Sequence, residues 1–252
     1  MPGTEIAAPI REPVYSGYAK LLHDPAAMRK QFTDGFGVLL LVIGPMSVGI
    51  ALTADLLTPF ALGPKWTGAS ALFVPCAALG LLDAIAQYPH NLFMVLNRQK
   101  TYVAIMAAML AIRFPLFVFA AAHWGMVPAV YVLAATSGLA ATVWIRSAMP
   151  LIGLRIGPLL APVWRTAVSA VVMTALLLRF ADLAPDVEGT SALGWRIAAV
   201  AAGGAAIQFG TQWLLWVLSG RPEGPETKLI GLARASLSTL LTRFARQRPA
   251  PG

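Results

Sequence analysis

The chain has a single cysteine, Cys76, in its 252 residues. That excludes an internal disulfide and any multi-thiolate metal centre. The three histidines, His23, His90 and His123, are too scattered for metal-ligand spacing, so neither a metal nor a cofactor is expected. Charge is also scarce: Asp, Glu, Lys and Arg make up 12% of the chain, where soluble domains carry about a quarter. No GxxxxGK[ST] phosphate loop is present, so the chain is not expected to be an ATP-driven pump. Neither GxSxG nor HExxH occurs, and no catalytic constellation is visible, so the chain does not read as an enzyme. Met1 to Glu5 lack an apolar core behind a basic start, unlike a signal peptide, so the first span is expected to direct insertion.

Apolar residues fill the space that charge leaves. They make up 58% of the chain, and the mean hydropathy is +0.70. This composition excludes a disordered chain, a coiled coil and a nucleic-acid-binding domain, and it argues against an ordinary soluble enzyme. The basic excess, 19 Lys and Arg against 11 Asp and Glu, is read as cytoplasmic loops lying beside anionic membrane lipid.

A helix crosses the hydrocarbon layer in about 20 residues. Stretches of that length with little charge predict six spans. The first runs from about Phe36 to Phe60 and the second from Trp66 to Asn97, interrupted by Asp83. Thr101 to Ile145 holds the third and fourth, with a break at His123-Trp124-Gly125 and Pro128. The fifth lies around Leu159 to Ala181, with Arg165 and Arg179 snorkelling from its ends, and the sixth from Ile197 to Gly220. The fold class is therefore all-α integral membrane, a bundle of about six transmembrane helices. Residues 1–35 form a cytoplasmic lead-in, 36–220 the transmembrane lobe and 221–252 a cytoplasmic basic tail. Amphipathic helices are expected at Tyr15 to Phe32 and in the tail, where Leu229, Leu232, Leu237, Leu240 and Phe244 recur at helical spacing.

Loop charge agrees with this count. With the N-terminus inside, 15 of the 19 basic residues fall on the cytoplasmic side. Only Lys65, Arg179 and Arg196 fall outside, and Arg113 lies within a span. This is the positive-inside pattern with both termini cytoplasmic.

Ionisable groups at membrane depth cost roughly 2.5–3.5 kcal/mol each at a helix centre, so each needs a reason. Asp83 lies midway along the second span and Arg113 midway along the third, at similar depth on adjacent antiparallel helices. They can form a buried packing bridge, or Arg113 can face a cavity and attract an anionic group while Asp83 orients it. Asp83, Gln87, His90, Asn91 and Arg98 recur along one face of the second span, which Pro75 and Pro89 can kink. Such a stripe suits either a cavity wall or interhelical hydrogen bonding. Gly44-Pro45 predicts a kink in the first span, and Asp55 is placed near its outer end. Gly203-Gly204 with Gln208 and Gln212 predicts close packing in the sixth. The acidic group Asp182, Asp186 and Glu188 reads as a solvated outer turn.

Several segments in the first half of the chain also form an ordered series. Pro13 to Leu21 leads to Asp24 and Met28-Arg29. Pro45 and Gly49-Ile50-Ala51 follow, then Ala54-Asp55-Leu56-Leu57-Thr58-Pro59 and Leu62-Gly63-Pro64-Lys65-Trp66. With Arg113-Phe114-Pro115-Leu116 and Trp124-Gly125, this order resembles the C-terminal half of bacterial polysaccharide flippases. These are the oligosaccharide-lipid exporters of the multidrug/oligosaccharidyl-lipid/polysaccharide superfamily. The resemblance covers about residues 13–125. It implies translocation of undecaprenyl-pyrophosphate-linked sugar units across the inner membrane by alternating access between two helical lobes. It also implies a cationic central cavity for the pyrophosphate, with Arg113 as the candidate and the stripe Asp83, Gln87, His90 and Asn91 beside it. Lys65 would lie near the outer exit. The family has two lobes, so an N-terminal lobe or second subunit is the expected partner, with lipid-linked oligosaccharide as the substrate. The competing expectations are a membrane scaffold or accessory subunit of polysaccharide assembly, an inactive fragment, and a glycan-modifying membrane enzyme.

Overall fold

The computed structural model describes Tyr18, residues 21–160, residues 163–183 and residues 190–220. The basic tail and the start of the lead-in lie outside these residues. Helix α1 spans Pro25–Leu52. Asp24 starts it by accepting from the backbone N–H groups of Ala26 and Ala27 at 3.0 and 2.9 Å, and Pro25 follows at a position that needs no donor. At 1.5 Å per residue this helix is about 42 Å long, so from Pro25 on the lead-in and the first span are one continuous rod. Asp34, just before the stretch expected as the first span, is buried within the helix at 7% exposure. The helix ends at Thr53, whose N–H and hydroxyl both donate to the Gly49 carbonyl, at 3.0 and 2.7 Å. The first span therefore ends at Leu52, and Asp55 is exposed in the first turn of a separate helix, α2, Ala54–Ala61.

A 3₁₀ turn, Pro64–Ala69, leads into α3, Ser70–Gln87, and α4, His90–Val95. Helices α5, Gln99–Trp124, and α6, Met126–Ala148, meet at Gly125, whose φ of 88° permits the reversal. A 3₁₀ turn at Met149–Ile152 precedes α7, Ile156–Leu160, then α8, Val163–Leu183, and α9, Thr190–Leu218. No strand occurs among the described residues.

Five segments are long and apolar enough to cross a membrane: Pro25–Leu52, Pro64–Val95, Gln99–Trp124, Met126–Ile152 and Ile156–Arg179. The segment expected as a sixth span is α9, whose 29 residues suffice in length. Arg196, Gln208 and Gln212 lower its apolar character. The architecture is that of a multi-pass membrane protein.

Small residues decide the packing. Helix α6 buries Ala134, Ala140, Ala141 and Ala148 and presents Gly138 to Leu82, so α3 lies closely along it. Helices α1 and α5 flank this pair, and α8 packs on both α1 and α9. The main core gathers at one end of the bundle, around Phe32, Leu92, Phe93, Trp144 and Ile152. There the Tyr88 phenol donates to the Phe32 carbonyl at 2.7 Å, and a Cβ at Gly35 would run into the Tyr88 hydroxyl. Burial holds the nearby Tyr18 phenol above its ordinary pKa.

Arg29 Nη1 donates to the Ile152 carbonyl at 3.1 Å and ties α1 to the end of α6. Lys30, Arg98, Lys100, Arg146 and Arg155 flank the same end. Lys65, Arg179 and Arg196 belong to the other end, where Phe60 lies against Gly194. Among the described residues, six basic side chains thus lie toward one end of the bundle and three toward the other. Arg165 departs from expectation: it is 6% exposed, buried rather than snorkelling.

Candidate functional site: a shared ion pair at mid-span

Asp83 comes from the middle of the membrane segment Pro64–Val95 and Arg113 from the middle of Gln99–Trp124. Asp83 lies late in α3, and the turn at Tyr88 and Pro89, α4 and the bend before Gln99 set how far back along the bundle α5 must run to meet it. Asn97, with φ 55°, takes part in that bend, and the Arg98 N–H donates to the Phe93 carbonyl at 2.8 Å. The guanidinium meets the carboxylate as a fork: Arg113 Nη1 donates to Asp83 Oδ1 at 3.2 Å, and Nη2 to Oδ2 at 3.4 Å. From α6, the fully buried Ser137 donates its hydroxyl to the same Oδ1 at 2.7 Å. Three helices therefore converge on one carboxylate.

The pair is not sealed. The Arg113 and Asp83 side chains keep 30% and 33% of their exposure. Helix α5 turns most of its remaining surface outward, including Met106, Leu110 and Phe114. A surface mostly apolar but interrupted at mid-depth by a matched ion pair can hold an anion, because the guanidinium still has donors that Asp83 does not use. It can equally hold the helices together.

The other expected residues scatter around this centre. Gln87 is exposed at the end of α3. Pro89 then interrupts the helix, so the stripe does not continue as one face. His90 and Asn91 begin α4, half-buried, with the His90 ring edge-on to Tyr102 at 4.7 Å. Arg98 is exposed beyond α4, and Lys65 is exposed on the 3₁₀ turn after α2. The structure thus unites Asp83 and Arg113, adds Ser137, and separates Lys65 from them. Ser137 had no spacing signature; its only signal was the polar pair Thr136-Ser137 in the apolar middle of the helix. No group of three or more His, Cys, Asp or Glu able to hold a metal occurs among the described residues.

Residues 1–71 match the family model described as polysaccharide biosynthesis protein. The match takes in α1, α2 and the 3₁₀ turn, and stops before Asp83, Arg113 and Ser137. It supports a role in polysaccharide synthesis or export at a membrane. No curated protein and no solved structure is significantly similar to the chain.

Proposed function

We propose that the chain is one helical lobe of a transporter that moves lipid-linked oligosaccharide across the bacterial inner membrane, with both termini cytoplasmic. The observation that carries this reading is the mid-span pair of Asp83 and Arg113, fixed by Ser137 and still about a third exposed. A lobe that closes against a second lobe, or against its own substrate, needs a polar surface at that depth, and lipid is a poor cover for it. In this reading Arg113 attracts the pyrophosphate of an undecaprenyl-linked saccharide, while Asp83 and Ser137 hold the guanidinium in place. Gln87 and Asn91 line the approach, and Lys65 stands at the outer rim. The work is binding and reorientation, without covalent catalysis. The match over residues 1–71 to a polysaccharide biosynthesis family supports the substrate class.

The test is a deletion in the native cell, complemented by variants. Loss of the protein is expected to reduce surface polysaccharide while lipid-linked repeat units accumulate. Wild type is expected to restore export and Arg113→Ala to fail. Arg113→Lys, which keeps the charge but loses the planar fork, should restore less than about a tenth. Full export by a stably inserted Arg113→Lys protein would remove the guanidinium role. Loss of polysaccharide without accumulated lipid-linked units would favour a scaffold in assembly, for which the well-matched ion pair is simply a packing bridge.

A further inference from the structure

A second feature is built by a different set of helices. Helices α1, α2, α8 and α9 surround a cavity of about 470 Å³, within the range of small-molecule sites. Its cause lies in the sequence. Helix α8 packs on both α1 and α9, whereas α1 and α9 touch each other only sparsely. Pro45 and Gly49 line the gap on α1, and a Cβ added at Gly49 would meet nothing within 4 Å. On α9, Gly204 lets the back wall close, lying where a Cβ would be 3.2 Å from Leu177.

The slot runs along the bundle. Leu41 and Gln208 mark one end, and Thr53, Leu57 and Ile197 the other. At 1.5 Å per residue the stretch from Ile197 to Gln208 is about 17 Å long. Met46, Ile50 and Phe209 on its rim are exposed, so it opens toward the hydrocarbon layer.

The lining contains no ionisable side chain. It does contain Gln208, which is 1% exposed and whose Nε2 and Oε1 both lack a hydrogen-bond partner. One turn further along α9, Gln212 Oε1 lies 3.0 Å from the Ser169 hydroxyl, so the same residue type is matched where the structure provides for it. A buried amide with neither atom matched is costly, and native structures rarely keep one without a reason. As the side chain lies, neither atom reaches the slot surface, but Gln208 lines the slot and a turn of its side chain presents one donor and one acceptor together. A ligand that answers both needs a group that accepts and donates, and the slot needs that group to be attached to an apolar chain. A charged head finds no counter-charge here and would be expelled.

We infer that this slot is a binding site for an uncharged long-chain alcohol taken from the bilayer, its hydroxyl paired with the Gln208 amide once that side chain turns into the slot, and its chain lying between α1 and α9. The site is independent of the role assigned to Arg113. The probes are diazirine-tagged dodecanol, dodecane and dodecanoic acid, applied to the purified protein in lipid nanodiscs, with the labelled residues mapped by mass spectrometry. Dodecanol is expected to label α1 and α9 around Gly49 and Gln208, and untagged dodecanol to compete. Gln208→Leu should reduce dodecanol labelling about tenfold and leave dodecane labelling unchanged. Gly49→Leu, which projects a side chain into the slot, should suppress both. If Gly49→Leu fails to insert, Gln208→Leu decides alone, because it removes the polar group at nearly constant volume. Equal labelling by alcohol and hydrocarbon, unaffected by Gln208→Leu, would overturn the proposal and leave an apolar void with water at the amide. Labelling by dodecanoic acid as strong as by dodecanol would overturn it as well, as would no labelling at all.

Discussion

Helices α3, α5 and α6 carry their polar groups as a matched set. Both carboxylate oxygens of Asp83 have partners, yet the set stays partly open to its surroundings. Around α1, α8 and α9 the balance is reversed, because Gln208 is shut away and neither of its amide atoms is matched. In water this contrast would be minor. At membrane depth there is no solvent to repair either state, so each departure points outward to something the helices themselves do not supply. A matched but exposed pair calls for a polar surface to face it. A sealed but unmatched amide calls for a small polar group to enter. Satisfaction and exposure are separate clues, and the two regions carry one each.

The contrast breaks most sharply at Arg113. Arg113→Ala leaves Asp83 as an unpaired carboxylate in the middle of a span. The expected loss of stability is about 2–3 kcal/mol, held below the value for a fully buried pair by the exposure of the site. Reversible unfolding in mixed micelles would measure it, alongside the amount of protein inserted. The double variant Asp83→Leu with Arg113→Leu should regain most of that stability, since an apolar pair of similar size has no charge to desolvate. If the pair serves transport, the double variant will be stable and still unable to export. A stable, exporting double variant would reduce the pair to a packing bridge.

Gln208→Leu should move stability in the other direction. In the absence of a ligand, removing an unmatched buried amide is expected to stabilise the protein by about 1 kcal/mol, read as a higher unfolding midpoint in lipid-free micelles. A loss of stability of that size would mean that the amide is already satisfied, and the two regions would then be alike. Added dodecanol should narrow the difference by stabilising wild type and not the variant.

Much of the first region was legible in the sequence. Counting residues from the ends of two apolar runs placed Asp83 and Arg113 at one depth, because a helix rises by a constant step and adjacent spans run antiparallel. Other features were hidden for identifiable reasons. The start of the first span was set at about Phe36, but α1 begins at Pro25 and buries Asp34 within it. The stripe from Asp83 to Arg98 presumed an unbroken helix, and Pro89, with no N–H to give, ends α3 and turns the chain. The slot beside Gln208 depends on α1 and α9 standing apart, a property of three-helix packing that no single segment encodes. Gln208 and Gln212 look alike in sequence, but Gln212 meets Ser169 on α8 while the amide of Gln208 is unmatched.

Ser137 provides the smallest effect and the finest test of the first region. Ser137→Ala removes one hydrogen bond to Asp83 and leaves the fork from Arg113 in place. Hydrogen bonds between membrane helices average about 0.6 kcal/mol, because the separated helices find other partners. A bond to a charged acceptor in a soluble core would be worth about 1.5–3 kcal/mol. The lower figure is expected here, since Asp83 keeps a third of its exposure and both guanidinium contacts. A double-mutant cycle with Asp83→Asn isolates the coupling from the loss of packing at a fully buried position. Coupling near the lower figure, together with a clear loss of export, would mean that Ser137 positions the carboxylate rather than stabilising the fold. Coupling near the higher figure would mean that the site is drier than its exposure indicates, and the pair would then resemble a closed core more than a surface awaiting a partner.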